Sequence, residues 1–357
     1  MAQAQDGLPQ VAVAEGAAKG GTKSGVDPRL SLLKVLASFA VIMVHTAVLR
    51  VSQVDVHSLG WWVANIGDAA GRFGSSMFVM VGGAILLARP AERDPWGFVG
   101  QRLSRLLPAL LFWSVFYFAW REWMWGGITW PGIVQDVVLG SPWYHLWFMY
   151  MMLGLYLMMP AMRYAVLGVG EGPGWRHLLM VAAGMTWFAS IAQTLQKTSH
   201  ASFIGLAPLF VVYFLGGYYL LRRPVRVATW QLVAGVVLAV AGMAVGVAVA
   251  YPVLKDWAFV LFYSNRSPFA MLLTFSVFLL ALRLPPQAVP AWVNHLGKAT
   301  LGIYAIHPFW IDMLARWGYG LPQAGGYWPV LTLVVFALSA LTSLTLFSIP
   351  GLRRLVS

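Results

Sequence analysis

The sequence predicts an all-α protein: a polytopic membrane helix bundle of about ten transmembrane helices, with both termini in the cytoplasm. Three observations lead to this prediction. First, 59% of the 357 residues are hydrophobic and only 10% are charged, whereas a soluble domain carries about 25% charged residues. Second, the chain contains repeated apolar runs close to the roughly 20 residues that a membrane-spanning helix needs. Third, lysine and arginine are unequally divided between the two sides that these runs define.

The apolar runs are joined by short connections, which leave no room for a separate soluble domain. The approximate ranges of the predicted spans are 32–49, 74–88, 106–124, 145–161, 178–194, 205–221, 231–250, 268–284, 298–315 and 329–349. The second run is short, and we expect its helix to begin earlier, near Trp61. Residues 1–26 are rich in alanine, glycine and small polar residues, which predicts a disordered cytoplasmic tail before a membrane domain at 27–357.

The basic residues indicate the orientation of the bundle. With the N-terminus inside, 17 of the 24 lysines and arginines fall on the cytoplasmic side and 7 on the other, as the positive-inside rule requires. An even number of spans then places the C-terminus inside as well. The net charge of +12 is scattered between apolar spans, so we predict no nucleic-acid partner and contact with membrane lipid instead.

The absence of cysteine narrows the chemistry. A chain with no cysteine has no disulfide, no thiolate nucleophile and no cysteine-based metal centre. Histidine and acidic residues do not occur at the spacings HxxxH, HxxE or DxD, so we predict no metal site.

The first span carries Lys34 near its start and His45 near its end. Eleven residues make three helical turns plus about 20°, so both side chains lie on one face, about 16 Å apart along the axis. Ionisable residues inside a membrane helix are costly and usually mark a functional path. His45 is therefore a candidate general base, and Lys34 is a candidate partner in catalysis. The alternatives are a histidine at the membrane interface and a lysine that snorkels to the surface.

Arg102 and Arg105 open the third span in the stretch QRLSRLLP. At positions i and i+3 they lie on one helix face. Guanidinium groups bind phosphate oxygens bidentately, so this pair is a candidate phosphate clamp. The alternative is ordinary positive charge beside a cytoplasmic span end.

Polar aromatic motifs occur at two later spans. The stretch YHLWF contains His145 and Trp147, which offer a hydrogen-bonding ring and a stacking surface suited to a sugar. The stretch GIYAIH contains Tyr304 and His307, one helical turn apart. The alternatives are an aromatic belt at the membrane interface and a buried, hydrogen-bonded histidine.

Two arginines fall on the outer side of the bundle in this orientation. Arg72 and Arg266 are candidate ligands of an anionic acceptor, or they merely flank spans.

Taken together, these motifs resemble the membrane-bound acyltransferase-3 family. The family combines a basic residue, ten residues and a histidine in its first span with RxxR at the start of its third, and this chain has Lys34-x10-His45 and Arg102-x2-Arg105. The resemblance also includes FVMVGGAILL in the second span and extends over nearly the whole chain after the tail. YHLWF, GIYAIH and RLVS are similar to stand-alone transferases that O-acetylate bacterial surface glycans, including one acting on enterobacterial common antigen. One position differs, since Ser31 stands where members often have an acidic residue.

The resemblance implies an acyl-CoA-dependent O-acetyltransferase of the bacterial cytoplasmic (inner) membrane. Acetyl-CoA would be the donor, entering from the cytoplasm, and no cofactor would be permanently bound. The acceptor would be a cell-surface or exported glycan, or a lipid-linked saccharide. The rival hypothesis is a secondary transporter or a flippase of a glycan intermediate, since many spans with polar residues at the midplane also describe transporters.

Overall fold

A computed structural model of the chain describes residues 27–51, 55–88, 95–170, 172, 174–196, 206–223, 225–319 and 328–357. The tail predicted at residues 1–26 lies outside the described residues. Within the described ranges the regular structure is entirely helical, which confirms the predicted fold class.

Fourteen α-helices occur in the described part of the chain. In chain order they are α1 (Pro28–Val51), α2 (Leu59–Gly71), α3 (Gly74–Leu86), α4 (Pro95–Trp125), α5 (Trp130–Leu139), α6 (Trp147–Val169), α7 (Gly174–Gln196), α8 (Val211–Arg222), α9 (Thr229–Leu254), α10 (Asp256–Tyr263), α11 (Pro268–Leu282), α12 (Ala291–Leu296), α13 (Thr300–Leu314) and α14 (Trp328–Ser348).

Seven helical segments of the described chain are long and apolar enough to cross a membrane. They are Pro28–Leu49, Leu59–Leu86, Trp96–Trp125, Trp147–Val169, Thr229–Leu254, Asp256–Leu282 and Trp328–Ser348. The protein is therefore a multi-pass membrane protein, and its second segment begins well before residue 74, as the sequence indicated. Helices α8 and α13 have 12 and 15 residues, or about 18 and 22 Å, less than the roughly 30 Å of the hydrocarbon core. The count of ten spans and the side of the termini stay predictions.

Helix α1 is the central element of the bundle. It packs against α2, α3, α11, α12, α13 and α14. Leu33 and Ile42 on this helix are fully buried, and the hydroxyls of Thr46 and Thr332 hydrogen-bond at 2.6 Å between α1 and α14. We call the end of the bundle at which α1 begins the inner end, and the end at which α1 finishes the outer end.

Helices α3 and α8 cross with their backbones in contact. A Cβ atom added to Gly83 would lie 1.8 Å from the carbonyl oxygen of Phe214, and one added to Gly217 would lie 1.8 Å from that of Met80. Small residues at such crossings let membrane helices approach closely, and dispersion contacts along the two backbones then hold them together. The crossing holds α3 in place, and α3 lines the site described below.

We expect Gly83→Ala to destabilise the protein. The added methyl group has no room against a backbone atom, and overpacking of this kind costs about 1–3 kcal/mol. The measurement is the thermal unfolding midpoint of the purified protein in detergent. Gly100→Ala is the matched control, because a Cβ there meets nothing within 4 Å. Equal midpoints for the two variants would contradict this account of the crossing.

Candidate active site

Three histidines from distant parts of the chain meet inside the bundle. His45 comes from α1, His145 precedes α6, and His307 lies on α13. The ring centroids of His45 and His307 are 5.2 Å apart in a stacked arrangement, and those of His145 and His307 are 5.2 Å apart edge to face. In the sequence these three histidines belong to separate motifs. In the structure their rings are in contact, and we call them the histidine cluster.

Backbone carbonyls fix the tautomers of two of these rings. Nε2 of His145 donates to the carbonyl of Ala305 at 3.1 Å, and Nδ1 of His307 donates to that of Tyr304 at 2.6 Å. Carbonyl oxygens only accept, so both of these nitrogens carry protons. Nδ1 of His145 and Nε2 of His307 are buried and make no hydrogen bond within the described residues. In neutral rings these two nitrogens are acceptors that can receive a substrate hydroxyl.

Tyrosines hold the histidine cluster in position. The hydroxyl of Tyr117 donates to Ala305 at 2.6 Å, so one carbonyl binds both Tyr117 and His145. The hydroxyl of Tyr304 donates to the backbone carbonyl of His145. The ring of Tyr144 lies 5.0 Å from that of His45. Because the Tyr304 proton is used within the protein, this hydroxyl is a positioning group rather than a free donor.

A cationic cavity lies towards the inner end of the bundle. It has a volume of about 340 Å³, and its lining includes Lys34, Arg102 and Arg105. The Lys34 ammonium donates to the carbonyl of Gly297 at 2.6 Å. Arg102 is only 8% exposed, and its guanidinium lies 4.7 Å from the ring centroid of Phe98. The structure thus brings together the three basic residues singled out in the sequence, around what we call the inner cavity.

A smaller cavity of about 110 Å³ lies on the other side of the histidine cluster. We call it the outer cavity; it is lined by Val41, Val44, His45, Gly71, Arg72, Ser75, Trp147 and Asn265. Three of the residues predicted from the sequence, His45, Arg72 and Trp147, therefore line the same cavity. Arg266 does not line it, and its guanidinium Nε instead donates to the hydroxyl of Ser264 at 2.9 Å.

Arg72 bears a compensated charge. Its guanidinium lies 2.6 Å from a carboxylate oxygen of Asp68, which is fully buried. The same guanidinium sits 4.5 Å from the ring centroid of Tyr263. Arg72 occupies the break between α2 and α3, so this ion pair lies inside the apolar segment Leu59–Leu86. The outer cavity consequently has a hydrogen-bonding wall with little net charge.

Aromatic rings stand between the two cavities. Phe78 and Phe148 line the inner cavity, and their ring centroids lie 6.2 and 5.3 Å from that of Tyr304. Tyr304 in turn lies 5.3 Å from His145 and 5.9 Å from His307. A continuous series of packed rings therefore leads from the inner cavity to the histidine cluster.

An acyltransferase domain model of the acyltransferase 3 type matches residues 27–348, which is most of the chain. The chain belongs to this acyltransferase family. Comparison with curated proteins and with solved structures gives no match.

Within the described residues, Lys34 of the acyltransferase makes no ion pair with an acidic side chain. Ser31, at the position where the resemblance led us to look for a carboxylate, packs against the residue that binds Lys34: a Cβ added to Gly297 would be 3.0 Å from the Cβ of Ser31. A side chain at position 297 would therefore crowd Ser31. The Gly297 carbonyl takes the place of the missing carboxylate as the acceptor for Lys34.

Several residues of the acyltransferase site were not predicted from the sequence. Tyr117 lies in the aromatic stretch FWSVFYFAW, where no motif distinguishes it from its neighbours. Tyr144 directly precedes His145, and the YHLWF motif could have indicated it. Asp68 lies four residues before Arg72, a spacing that places two side chains on one helix face and could have suggested the ion pair. Among the described residues, no group of three or more histidine or acidic side chains is arranged to hold a metal ion.

Proposed function

We propose that this acyltransferase is an O-acetyltransferase that moves an acetyl group from cytoplasmic acetyl-CoA to a hydroxyl of a cell-surface or exported glycan. The observation that carries the proposal is the arrangement along α1. Lys34 lines a cationic cavity at one end of this helix, and His45 lines a separate, nearly neutral cavity towards the other. Two chemically different substrates can thus approach one histidine cluster from opposite sides.

The inner cavity suits the phosphate groups of acetyl-CoA. Arg102 and Arg105 supply planar guanidinium groups, which bind phosphate oxygens bidentately, and Lys34 adds a third positive charge. Acetyl-CoA is here a substrate that arrives and leaves, so the proposal needs no permanently bound cofactor. The positive-inside bias supports a cytoplasmic position for this cavity, on the side where acetyl-CoA is made, and the proposed location of the protein is a bacterial cytoplasmic membrane.

His45 is the proposed general base. It removes the proton of the acceptor hydroxyl while the hydroxyl oxygen forms a bond to the acetyl carbonyl carbon. The carbon–sulfur bond then breaks, the acetyl ester is released on the acceptor, and the proton passes to the sulfur of CoA. Thioester-to-ester exchange requires no oxidant and no metal. The buried acceptor nitrogens of His145 and His307 can bind a neighbouring hydroxyl of the acceptor and so orient it, while the attacking hydroxyl keeps its single proton for His45.

The acceptor binds in the outer cavity. Trp147 offers a ring face there for the apolar face of a sugar, and Asn265 and Ser75 offer hydrogen bonds. Because the charge of Arg72 is compensated by Asp68, the part of the acceptor beside His45 is best matched by neutral hydroxyl groups. Arg266, one residue from Asn265, supports the loop that forms this wall.

The test is a transfer assay with the purified protein in lipid nanodiscs. Radiolabelled acetyl-CoA is mixed with the envelope glycans of the cells that make this protein, and label is counted in the glycan fraction. An O-acetyltransferase labels the glycan in an alkali-labile form, as an ester requires. A transporter or flippase of glycan intermediates binds the glycan but leaves it unlabelled, and that outcome would replace our proposal.

We expect the double variant Arg102→Ala/Arg105→Ala to bind acetyl-CoA more weakly. Each lost charge-assisted hydrogen bond costs about 1.5–3 kcal/mol, roughly ten-fold or more in affinity. Lysine at both positions should restore only part of the affinity, because the fork geometry is lost. Calorimetric titration of the purified protein measures this.

Arg226→Ala is the matched control, because this arginine is exposed in the loop before α9 and lines neither cavity. Arg105 is also exposed, so Arg105→Ala alone tests the donor site with little risk to folding. Unchanged acetyl-CoA affinity in the double alanine variant would remove these arginines from the donor site.

A further inference from the structure

A third cavity lies beyond the outer cavity, and the mechanism above does not use it. It has a volume of about 450 Å³, larger than the other two, and is lined by Val48, Val51, Val56, Trp61, Tyr251, Asp256 and Phe259. Its volume lies within the range of about 300–1,000 Å³ that is typical of small-molecule sites.

The third cavity and the outer cavity are both lined by valines on one face of α1. Val41 and Val44 line the outer cavity, and Val48 and Val51 line the third. These four valines follow a spacing of three or four residues, which places them on one stripe of the helix. Val48 and Val51 lie about 5 and 9 Å beyond His45 along the helix axis. A ligand that fills both cavities therefore spans two adjacent binding positions.

The chemistry of the lining fits a sugar ring. The partly exposed rings of Tyr251 and Phe259 have centroids 5.6 Å apart, edge to face. The exposed carboxylate of Asp256 offers oxygens that only accept hydrogen bonds when ionised. Sugars present apolar C–H faces to aromatic rings and hydroxyl donors to carboxylates. Among the described residues that line this cavity there is no lysine or arginine, although the Lys255 ammonium lies 5.9 Å from the ring centroid of Tyr251.

Strained backbone borders the third cavity on two sides. His57, next to Val56, has a φ of 72°, and Lys255, next to Asp256, has a φ of 51°. They are the two non-glycine residues with positive φ in the described part of the chain. Conformations that L-amino acids rarely adopt persist where the surrounding structure enforces them, and they concentrate at ligand-binding sites.

We propose that the third cavity binds a second saccharide unit of the acceptor, next to the unit whose hydroxyl reaches His45. The acceptor is then a chain of at least two sugar units, not a free monosaccharide or a small secreted molecule. This inference rests on the proposed O-acetyltransferase function and adds the length of the acceptor to it.

The test compares acceptors of different length. Partial acid hydrolysis of the envelope glycans of the cells that make this protein gives fragments that are separated into single units and longer chains. Each fraction is offered to the purified protein with radiolabelled acetyl-CoA. We expect kcat/KM to be about ten-fold higher for fragments of two or more units, the size of effect that one hydrogen bond to a charged group produces.

The variants Asp256→Asn and Tyr251→Ala should reduce this preference for longer fragments about ten-fold, mainly through KM, because the charge and the ring that hold the second unit are lost. Asp256 is exposed, so its replacement carries little risk to folding. Asp55→Asn is the matched control, an exposed aspartate at the same end of the bundle that does not line the cavity.

The outcomes separate the two proposals. Equal labelling of single units and longer chains, or variants that keep the full preference, would overturn the second saccharide position and leave the O-acetyltransferase function standing. Failure to label fragments of any length, in a protein that binds acetyl-CoA, would overturn the proposed function itself.

Discussion

Replacing His45 with glutamine is expected to lower the rate of acetyl transfer by about 10²- to 10⁴-fold, the usual contribution of a general base. Glutamine keeps the hydrogen-bonding capacity of the side chain but cannot take a proton. Acetyl-CoA affinity should stay within a few-fold, because His45 lines the outer cavity, whereas the proposed donor site is the inner one. The measurements are label transfer to glycan and calorimetric binding of acetyl-CoA, made on the same preparation.

His177→Gln is the matched control for this experiment. His177 is exposed on α7 and lines none of the three cavities, so its replacement should leave the transfer rate unchanged. If His45→Gln retained most of its turnover, the base would lie elsewhere in the histidine cluster. The buried acceptor nitrogens of His145 and His307 would then be tested by the same substitution at each position.

Replacing Asp68 with alanine is expected to destabilise the protein by about 3–5 kcal/mol, the cost of leaving one partner of a buried ion pair without its counter-charge. Asp68 is fully buried, and its carboxylate lies 2.6 Å from the Arg72 guanidinium within an apolar segment. The uncompensated arginine would have to draw in water or move towards the surface, which would distort the wall of the outer cavity. The unfolding midpoint in detergent and the transfer rate should both fall.

Two further variants show whether this loss comes from the unpaired charge. The double variant Asp68→Asn/Arg72→Gln removes both charges and should recover much of the stability lost in Asp68→Ala, because no charge is then left buried. Asp136→Ala breaks the Arg121–Asp136 pair, whose side chains are 30% and 25% exposed, and should cost only about 0–1 kcal/mol. A double variant as unstable as Asp68→Ala would show that packing, not charge, dominates at this position.

Sequence patterns within single helices were enough to predict much of the fold and two residue pairs of the site, Lys34 with His45 and Arg102 with Arg105. Composition predicted the helical membrane bundle, because a chain with so few charges cannot form a soluble surface. The shared face of Lys34 and His45 followed from helix geometry alone, since α1 runs without interruption from Pro28 to Val51. The pairing of Arg102 with Arg105 followed for the same reason within α4.

The rest of the site, which is the histidine cluster and the carbonyl that binds Lys34, depends on how distant segments pack together. Periodicity shows which face of a helix is polar, but it does not show which other helix meets that face. The contact of His307 with His45 and His145 depends on how α13, α1 and the start of α6 pack together. The contact between Gly297 and Lys34 could not be predicted either. It is made by a backbone carbonyl, and every residue has one. The number of spans stayed a prediction for a related reason: α8 and α13 are too short to be recognised by length.

The packed rings between the inner and outer cavities have a consequence for the energy supply of the cell. In the proposed orientation the two cavities face opposite sides of the membrane, and they would dissipate ion gradients if they joined into an open pore. Here Tyr304, His145 and His307 are 3%, 1% and 0% exposed, so these packed rings close the path between the two cavities. A group as small and uncharged as acetyl can be handed across such a seal, while protons, salts and the bulky CoA nucleotide are held back. On the proposed function, acetylation of the outer surface would proceed without loss of the proton-motive force.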